Sequence, residues 1–433
     1  MSTWFAHLRR INGHNVATFR RAPLAEISGS LGDLGTLLPL MIALALQGSI
    51  HLGSTLVFSG LFNVLTGAIF GIPLPVQPMK AIASAAISGP ERSIGVVIAA
   101  GQYVGAAVLV LSATGLLRLA TSKVPVPVVK GIQLGAGLSL IIGSGSSLQP
   151  LHWTHPVLDN RLWALLAFLV LIATQRLARF PYALAFFALS VLFAILRTRA
   201  LPSFRIWTPT YVAPHWLGVH DYPALWMAIG QLPLTTLNSI IAVNALAADL
   251  LPELPTPSVT SIGLSVAVMN LTGTWLGGMP LCHGAGGLAA QHRFGARSGA
   301  SVIFLGVLKI LLGLLFGETL IKILASYPTS ILGVMVLAAG LELAKVGLTL
   351  NNGAPDLWEG AAGQRRLRSL SDDERLERWT IMLMTTAGIL AFKNDAVGFV
   401  AGMLCYCAYE LAKFLDKGRG RLNAGERAPL ISS

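Results

Sequence analysis

Three prolines within six positions interrupt an apolar part of the chain, in the segment 73–80, which reads PLPVQPMK. Each proline removes a backbone donor and fixes φ, so we expect extended backbone up to Gln77. A half-helix is predicted to follow, with Pro78 in its first turn, where a missing N–H costs nothing. At membrane depth, such a helix start presents free N–H groups and a partial positive charge. The segment is therefore predicted to bind an anion.

A second broken segment, residues 277–287 (GGMPLCHGAGG), combines a histidine with glycines whose bare N–H groups can hold a tetrahedral oxyanion. Gln77 could donate its amide, Lys80 could supply positive charge, and His283, taken as the counterpart of Gln77, could add a ring donor. Two structural alternatives stay open, because Lys80 could pair with Asp33 and a lone histidine is usually a satisfied core residue. The substrate-binding residues predicted here are Gln77, Pro78, Lys80, His283, Gly284, Ala285 and Gly286.

Two further polar features lie inside predicted spans. Asp33 is an isolated carboxylate among Gly, Leu and Thr, and ionisable residues inside a membrane are functional candidates by default. We predict that Asp33 is a proton-coupling site near the bound anion; the alternative is a carboxyl group that braces the broken helices. Gln231, Thr235 and Asn238 share one helical face by their spacing. This stripe is predicted to line the substrate site, or otherwise to hydrogen-bond neighbouring helices.

Composition identifies the environment of the chain. Of its 433 residues, 54% are hydrophobic and 12% are charged, and the mean hydropathy is +0.68, a balance typical of multi-pass membrane proteins. The basic residues that give the net charge of +12 lie between the apolar runs, as the positive-inside rule describes. The charge therefore does not indicate binding to nucleic acid. Three cysteines form neither a disulfide framework nor a metal pattern. No cofactor motif and no nucleophile–base pattern indicates an enzyme.

Hydropathy predicts an all-α polytopic membrane protein. Two half-helices are expected near 77–88 and 283–290, and the region 316–327 is either the end of a span or a separate short element. With these half-helices, twelve apolar runs make about fourteen elements, and the runs lie near 25–47, 50–71, 93–117, 128–146, 161–178, 182–197, 223–247, 259–277, 298–317, 328–347, 379–392 and 395–415.

An internal repeat organises these elements. Three pairs of similar segments keep separations of 198, about 204 and 202 residues between their starts: 32–36 with 230–235, 73–80 with 277–287, and 131–138 with 333–341. Each half then holds seven elements, and an odd number inverts the second half relative to the first. Broken elements at matching positions of two inverted halves indicate the binding site of a transporter.

The excess of Lys and Arg on one side of the predicted spans places both termini in the cytoplasm. The tail contains an acidic dileucine pattern, ERAPLI at 426–431, which favours a vacuolar or lysosome-like membrane, with the plasma membrane as the alternative. The predicted divisions are a cytoplasmic N-terminal segment 1–22, a first repeat 23–197, an extracytoplasmic or lumenal loop 198–222, a second repeat 223–415 with a cytoplasmic loop 351–378, and a cytoplasmic tail 416–433.

Four segments resemble the signatures of molybdate transporters of the MOT1 type, distant relatives of the sulfate permeases. These are GDLGT at 32–36, PVQPMK at 75–80, QLPLTTLNS at 231–239 and MPLCHGAGGLAAQHRFGARSG at 279–299. The resemblance implies secondary active transport of molybdate, with tungstate as an analogue. It also implies a seven-plus-seven inverted-repeat fold with core and gate domains, elevator-like alternating access, an anion held between the third and tenth elements, and a homodimer without a STAS domain.

The identity of the anion depends on this resemblance, because sulfate and molybdate share charge and shape and no spacing separates them. A sulfate carrier, or a nucleobase or bicarbonate carrier on the same fold, is the alternative within carriers. An anion channel or a substrate sensor is the alternative outside carriers.

Overall fold

The computed structural model describes residues 2–88, 93–174, 180–199, 201–216, 223–359 and 366–425. Ten helices make up the described part of the first half: α1 (Ser2–Arg21), α2 (Pro23–Ser30), α3 (Leu34–Leu46), α4 (Leu52–Phe70), α5 (Lys80–Ser88), α6 (Ile94–Ala113), α7 (Leu116–Lys123), α8 (Val126–Leu148), α9 (Arg161–Ala173) and α10 (Tyr182–Thr198).

Nine helices make up the described part of the second half: α11 (Pro223–Leu234), α12 (Val243–Leu250), α13 (Val259–Gly273), α14 (Ala285–Arg293), α15 (Ala300–Leu315), α16 (Ile321–Ala325), α17 (Thr329–Ala344), α18 (Asp372–Phe392) and α19 (Asp395–Gly425). A π-helix (Thr235–Ala242) joins α11 to α12. The short elements are the 3₁₀ turns Gly317–Leu320, Lys345–Thr349 and Pro355–Leu357 and the strands β1 (Gln77–Pro78), β2 (Leu281–Cys282), β3 (Trp358–Glu359) and β4 (Arg366–Leu367).

The described helices group into fourteen units that correspond to the predicted spans and half-helices. Six helices are long and apolar enough to cross a membrane, and two bent pairs, α2 with α3 and α15 with α16, bring the number to eight. The shorter apolar helices α9, α10 and α13 and the longer α18 add four. The half-helices α5 and α14 complete the fourteen within the described ranges, as the sequence predicts.

The first predicted span, 25–47, is not one continuous helix. Its axis bends by 40° between α2 and α3, and Asp33 lies at this corner. Gly32 makes the corner possible, because a Cβ at this position would lie 2.7 Å from the Ala290 carbonyl oxygen of α14. The bend therefore packs directly on the second half-helix and carries Asp33 to it.

The ambiguous region 316–327 forms a separate short element. After α15 the chain turns by 107°, and Gly317 adopts the left-handed region with φ of 49°, which glycine accepts without steric penalty. The Glu318 carboxylate accepts a hydrogen bond of 3.0 Å from the Gly53 amide and holds this corner against α4.

The two broken segments meet and pair with each other. β1 and β2 are antiparallel, with Gln77 opposite Cys282 and Pro78 opposite Leu281. The Met79 amide then donates to the Pro280 carbonyl over 3.0 Å. This pairing holds Pro78 in extended backbone and delays the helix to Lys80, so the prediction that Pro78 lies in the first helical turn is wrong.

The helix starts also correct the predicted correspondence between the halves. The half-helices α5 and α14 begin at Lys80 and Ala285, a separation of 205 residues, which agrees with the repeat of about 204 seen in the sequence. At this separation Gln77 corresponds to Cys282, its partner in the strand pair, and not to His283.

The helices pack in equivalent pairs that divide into two bundles. In the core bundle (α2–α6 and α11–α15), α4 packs on α15 and α6 packs on α13. In the gate bundle (α8–α10 and α17–α19), α8 packs on α17 and α18. Small residues bring helix backbones close where little else drives association in lipid. A Cβ on Gly60 would lie 2.6 Å from the Gly306 carbonyl oxygen, and one on Gly137 would lie 2.9 Å from that of Gly340.

Helix α1 covers most of the predicted N-terminal segment 1–22 and packs against the core bundle. The Asn15 amide donates to the Gly67 carbonyl over 3.0 Å and accepts from the Gly299 amide over 2.9 Å. These hydrogen bonds fix α1 to both α4 and the start of α15.

Candidate anion-binding site

Gln77 is the polar group that the strand pairing places at the centre of the molecule. Its side chain is fully buried, and the Thr36 hydroxyl lies 3.3 Å from Oε1. Its Nε2 has no hydrogen-bond partner in the described part of the chain. A Cβ built on Gly284 would overlap this nitrogen, so the amide points at the start of α14. A buried donor without an acceptor is costly, about 1–3 kcal/mol, and the arrangement is suited to an arriving acceptor.

The N-terminus of α14 lies open beside this amide. Gly284 is its N-cap residue, and no side chain caps the helix there. Three side chains approach the first turn closely because glycines there carry no Cβ. The Gln77 amide faces Gly284. A Cβ on Gly286 would lie 2.8 Å from Leu140 Cδ1, and one on Gly287 would lie 2.7 Å from Asp33 Oδ1. The first-turn N–H groups of a helix have no intrahelical acceptor. This turn therefore combines free donors with a favourable dipole for an anion.

The N-terminus of α5 differs, because Gln231 occupies it. Gln231 Oε1 accepts from the Ala81 amide over 2.8 Å and from the Ile82 amide over 3.4 Å. Its Nε2 donates to Thr235 Oγ1 over 2.9 Å. Both predicted site residues, Gln231 and Thr235, are thus committed to bracing α5, which agrees with the alternative of hydrogen bonding between helices. Of the two half-helix starts, the one on α14 remains uncapped.

His283 also has a structural position. Its ring is fully buried and Nδ1 lies 2.8 Å from the Pro75 carbonyl, which can only accept, so Nδ1 carries the proton. Nε2 then accepts from the Ser265 hydroxyl over 3.1 Å. With both ring nitrogens engaged, His283 joins the two broken segments and has no donor left for a substrate. The expectation that it supplies a ring donor is wrong for this structure.

A cavity of about 440 Å³ lies between the core and gate bundles. Three predicted residues line it: Lys80 at the start of α5, Asn238 in the π-helix and Gly286 in α14. Asn238 Oδ1 is buried and accepts no hydrogen bond from any described group. π-helical turns inside α-helices frequently occur at functional sites, and this one turns Asn238 toward the cavity. Ala285 is buried behind this wall.

Asp33 lies behind the first turn of α14, within a small group of buried charges. Its carboxylate is 3% exposed and accepts a hydrogen bond from the Thr36 hydroxyl. It interacts electrostatically with Lys80 and with Lys309 of α15. Lys309 is also almost fully buried, and its ammonium has no hydrogen-bond partner among the residues that the structure describes.

Sequence reasoning missed Lys309, although a signal for it exists. It is a single charged residue inside the predicted span 298–317. The rule that singled out Asp33 applies equally to it. Its interaction with Asp33 is visible only once α15 is placed beside the corner between α2 and α3.

Comparison with known proteins gives one family and one fold. The sequence family described as "Molybdate transporter of MFS superfamily" matches residues 25–140 and 223–343, which include both broken segments. The chain is 35% identical to "Molybdate transporter 2" of Arabidopsis thaliana over 432 residues, covering 89% of this chain and 87% of that protein. It is 30% identical to "Molybdate transporter 1" of Chlamydomonas reinhardtii over 514 residues, covering 91% and 93% of the two chains.

Two solved structures share the architecture. The transmembrane domain of the cyanobacterial bicarbonate transporter BicA superposes with a TM-score of 0.53 at 15% identity, covering 87% of this chain and 96% of that one. The murine Solute Carrier 26 family member A9 anion transporter, in its inward-facing state, superposes with a TM-score of 0.56 at 13% identity, covering 90% and 69%. At these identities the likeness concerns the fold, and it confirms the predicted seven-plus-seven inverted repeat.

Proposed function

The chain belongs to the molybdate transporter family, and on this premise we propose that it carries molybdate across a membrane through the cavity between its two bundles. It is an integral membrane protein, and we propose that it is a transporter rather than an enzyme. The observation that carries the site assignment is the unpartnered Gln77 amide, seen among the described residues, at the uncapped start of α14.

Molybdate is a tetrahedral dianion, and the proposed site offers it mainly neutral donors. Gln77 Nε2 and the first-turn amides of α14 would contact its oxygens, while Lys80 and Asn238 would face it from the cavity wall. Anions bind favourably at a helix N-terminus because free N–H groups and the dipole act together. Neutral donors release a dianion more easily than a ring of arginines would. Gln231, Thr235 and His283 would hold the donors in place.

We propose that transport proceeds by elevator-like alternating access. The cavity is lined by the part of α8 from Ala136 to Ser146. Near the other end of α8, Lys130 forms an ion pair with Asp249 of α12 and donates to Thr349 over 3.0 Å. Lys130 and Ser146 are about 24 Å apart at 1.5 Å per residue. The bundles are thus bridged at one end of α8 and separated by a cavity at the other, as in a state open to one side.

The remaining parts of the proposal concern coupling and location. We propose that Asp33 takes up the coupling proton, since its buried carboxylate lies against the first turn of α14. Tungstate should compete with molybdate as an analogue. We further propose that both termini are cytoplasmic, that the protein is a homodimer, and that it resides in a vacuolar membrane or the plasma membrane. The sorting pattern at 426–431 lies outside the described residues.

Molybdate binding to the purified protein tests the function and the site together. Sulfate, tungstate and uracil serve as competitors, and Gln77→Ala is compared with the exposed control Gln149→Ala. We expect tight binding that tungstate displaces, that sulfate barely affects, and that only Gln77→Ala loses. Preference for sulfate or uracil would overturn the substrate. Unchanged binding by Gln77→Ala would overturn the site.

A further inference from the structure

The gate side of the cavity carries a carboxylate that the proposed binding site does not use. Asp395 is the first residue of α19, is 8% exposed and lines the same cavity as Lys80. Its Oδ2 is buried and, within the described ranges, has no hydrogen-bond partner. A buried carboxylate oxygen without a partner is unusual in proteins, and in the path of an anion it requires a reason.

Capping of α19 does not provide that reason. Asn394 Oδ1 accepts from the Ala396 amide over 2.8 Å, so the neighbouring residue already caps the helix start. The Asp395 carboxylate instead belongs to the lining of the cavity that Lys80 also lines, where the two opposite charges attract each other. Both residues line the same cavity, and the described ion pairs include none between them. Lys393, on the same turn, is exposed at the rim.

We propose that Asp395 sets the affinity of the site, its carboxylate sharing with Asp33 the role of counter-charge to Lys80 while the site is empty. An entering oxyanion takes over this role, because it brings its negative charge closer to Lys80 than the carboxylate of α19 lies. The repulsion between Asp395 and the bound dianion then lowers affinity and assists release. This inference rests on the proposed function, since it assumes that an oxyanion enters this cavity.

The arrangement also links binding to the two bundles. Lys80 belongs to half-helix α5 of the core, and Asp395 belongs to α19 of the gate. Attraction between them favours approach of core and gate in the empty protein. A dianion at Lys80 removes that attraction, so occupancy of the site changes how strongly the bundles hold each other.

Molybdate titration of Asp395→Asn by isothermal calorimetry tests the proposal. We expect the dissociation constant to fall about five- to tenfold, a change of the size at the lower end of the usual coupling between two sites. Asp372→Asn is the matched control, because it removes the same charge from an exposed position at the far end of α18. It should bind as the parent does. Asp395→Ser is the second variant in case the first does not fold.

A double-mutant cycle with Lys80→Gln separates this role from a structural one. When Lys80 is replaced, Asp395→Asn should tighten binding by a smaller factor than in the parent, because only the direct repulsion between Asp395 and the dianion is left to remove. An equal factor in both backgrounds would overturn the counter-charge role. If the parent protein binds molybdate and Asp395→Asn binds it equally or more weakly, this inference alone is overturned. A parent protein that binds no molybdate would overturn the proposed function instead.

Discussion

Replacing Gly284 by alanine tests the contact on which the site depends. The added Cβ would overlap Gln77 Nε2 and lie 2.6 Å from Gln77 Cδ. The backbone of Gly284 is extended, with φ of −153° and ψ of 132°, which alanine also adopts. The substitution therefore strains no backbone and acts by displacing the Gln77 amide from the start of α14.

The size of the effect follows from what the amide is expected to donate. A hydrogen bond to a charged group contributes about 1.5–3 kcal/mol, so its loss should weaken molybdate binding about 10- to 150-fold. The colliding atoms belong to the end of a flexible side chain, so the cost to the fold should stay near the lower part of the usual range of about 1–3 kcal/mol for overpacking. The free energy of binding should thus fall by more than the free energy of unfolding.

Calorimetric binding and a thermal melt of the same preparation measure the two effects. Gly230→Ala is the matched control, because it lies on α11 beside Gln231 and a Cβ added there would have no described atom within 4 Å. The control should keep its affinity and melt at the same or a slightly higher temperature. If Gly284→Ala bound molybdate as tightly as the parent, the Gln77 amide could not be one of the donors.

Three further variants test the supporting residues. Gln231→Leu leaves the Ala81 and Ile82 amides uncapped and should lower stability by about 1 kcal/mol, as cap removal does; lost binding at an unchanged melting temperature would contradict its bracing role. Lys130→Met removes the ion pair with Asp249, so the cavity should close more often. Labelling of a cysteine placed at Ser146 in a cysteine-depleted background should therefore become slower; unchanged labelling would show that this ion pair does not hold the cavity open. Asp33→Asn should make molybdate uptake insensitive to an imposed pH gradient, and a preserved pH response would assign coupling to another group.

The sequence predicted the scaffold well because the relevant signals are local or repeated. Apolar runs identify spans, since each must satisfy its backbone within lipid. The prolines at 73, 75 and 78 prevent a continuous helix wherever the segment lies. The bends escaped detection, because those at Asp33 and Gly317 depend on close contacts with α14 and α4 that no local pattern encodes.

The site was predicted less completely. Lys80, Asn238 and Gly286 line one cavity, and the Gln77 amide points at Gly284, beside that wall, while their part in binding stays a prediction. His283 fits the composition of an anion site equally well, yet its two nitrogens are used by Pro75 and Ser265. Residue type indicates that a group can donate, but not whether another part of the chain already accepts its proton.

The sequence by itself determined that this protein lies in a membrane, repeats itself in inverted halves and breaks two helices at matching positions. These properties follow from hydropathy, proline geometry and self-similarity, which act along the chain. Only the tertiary structure decided that the start of α14 stays open while Gln231, 150 residues away along the chain, closes that of α5. Hydrogen bonds form or fail within a few tenths of an ångström, and packing between distant segments sets those distances.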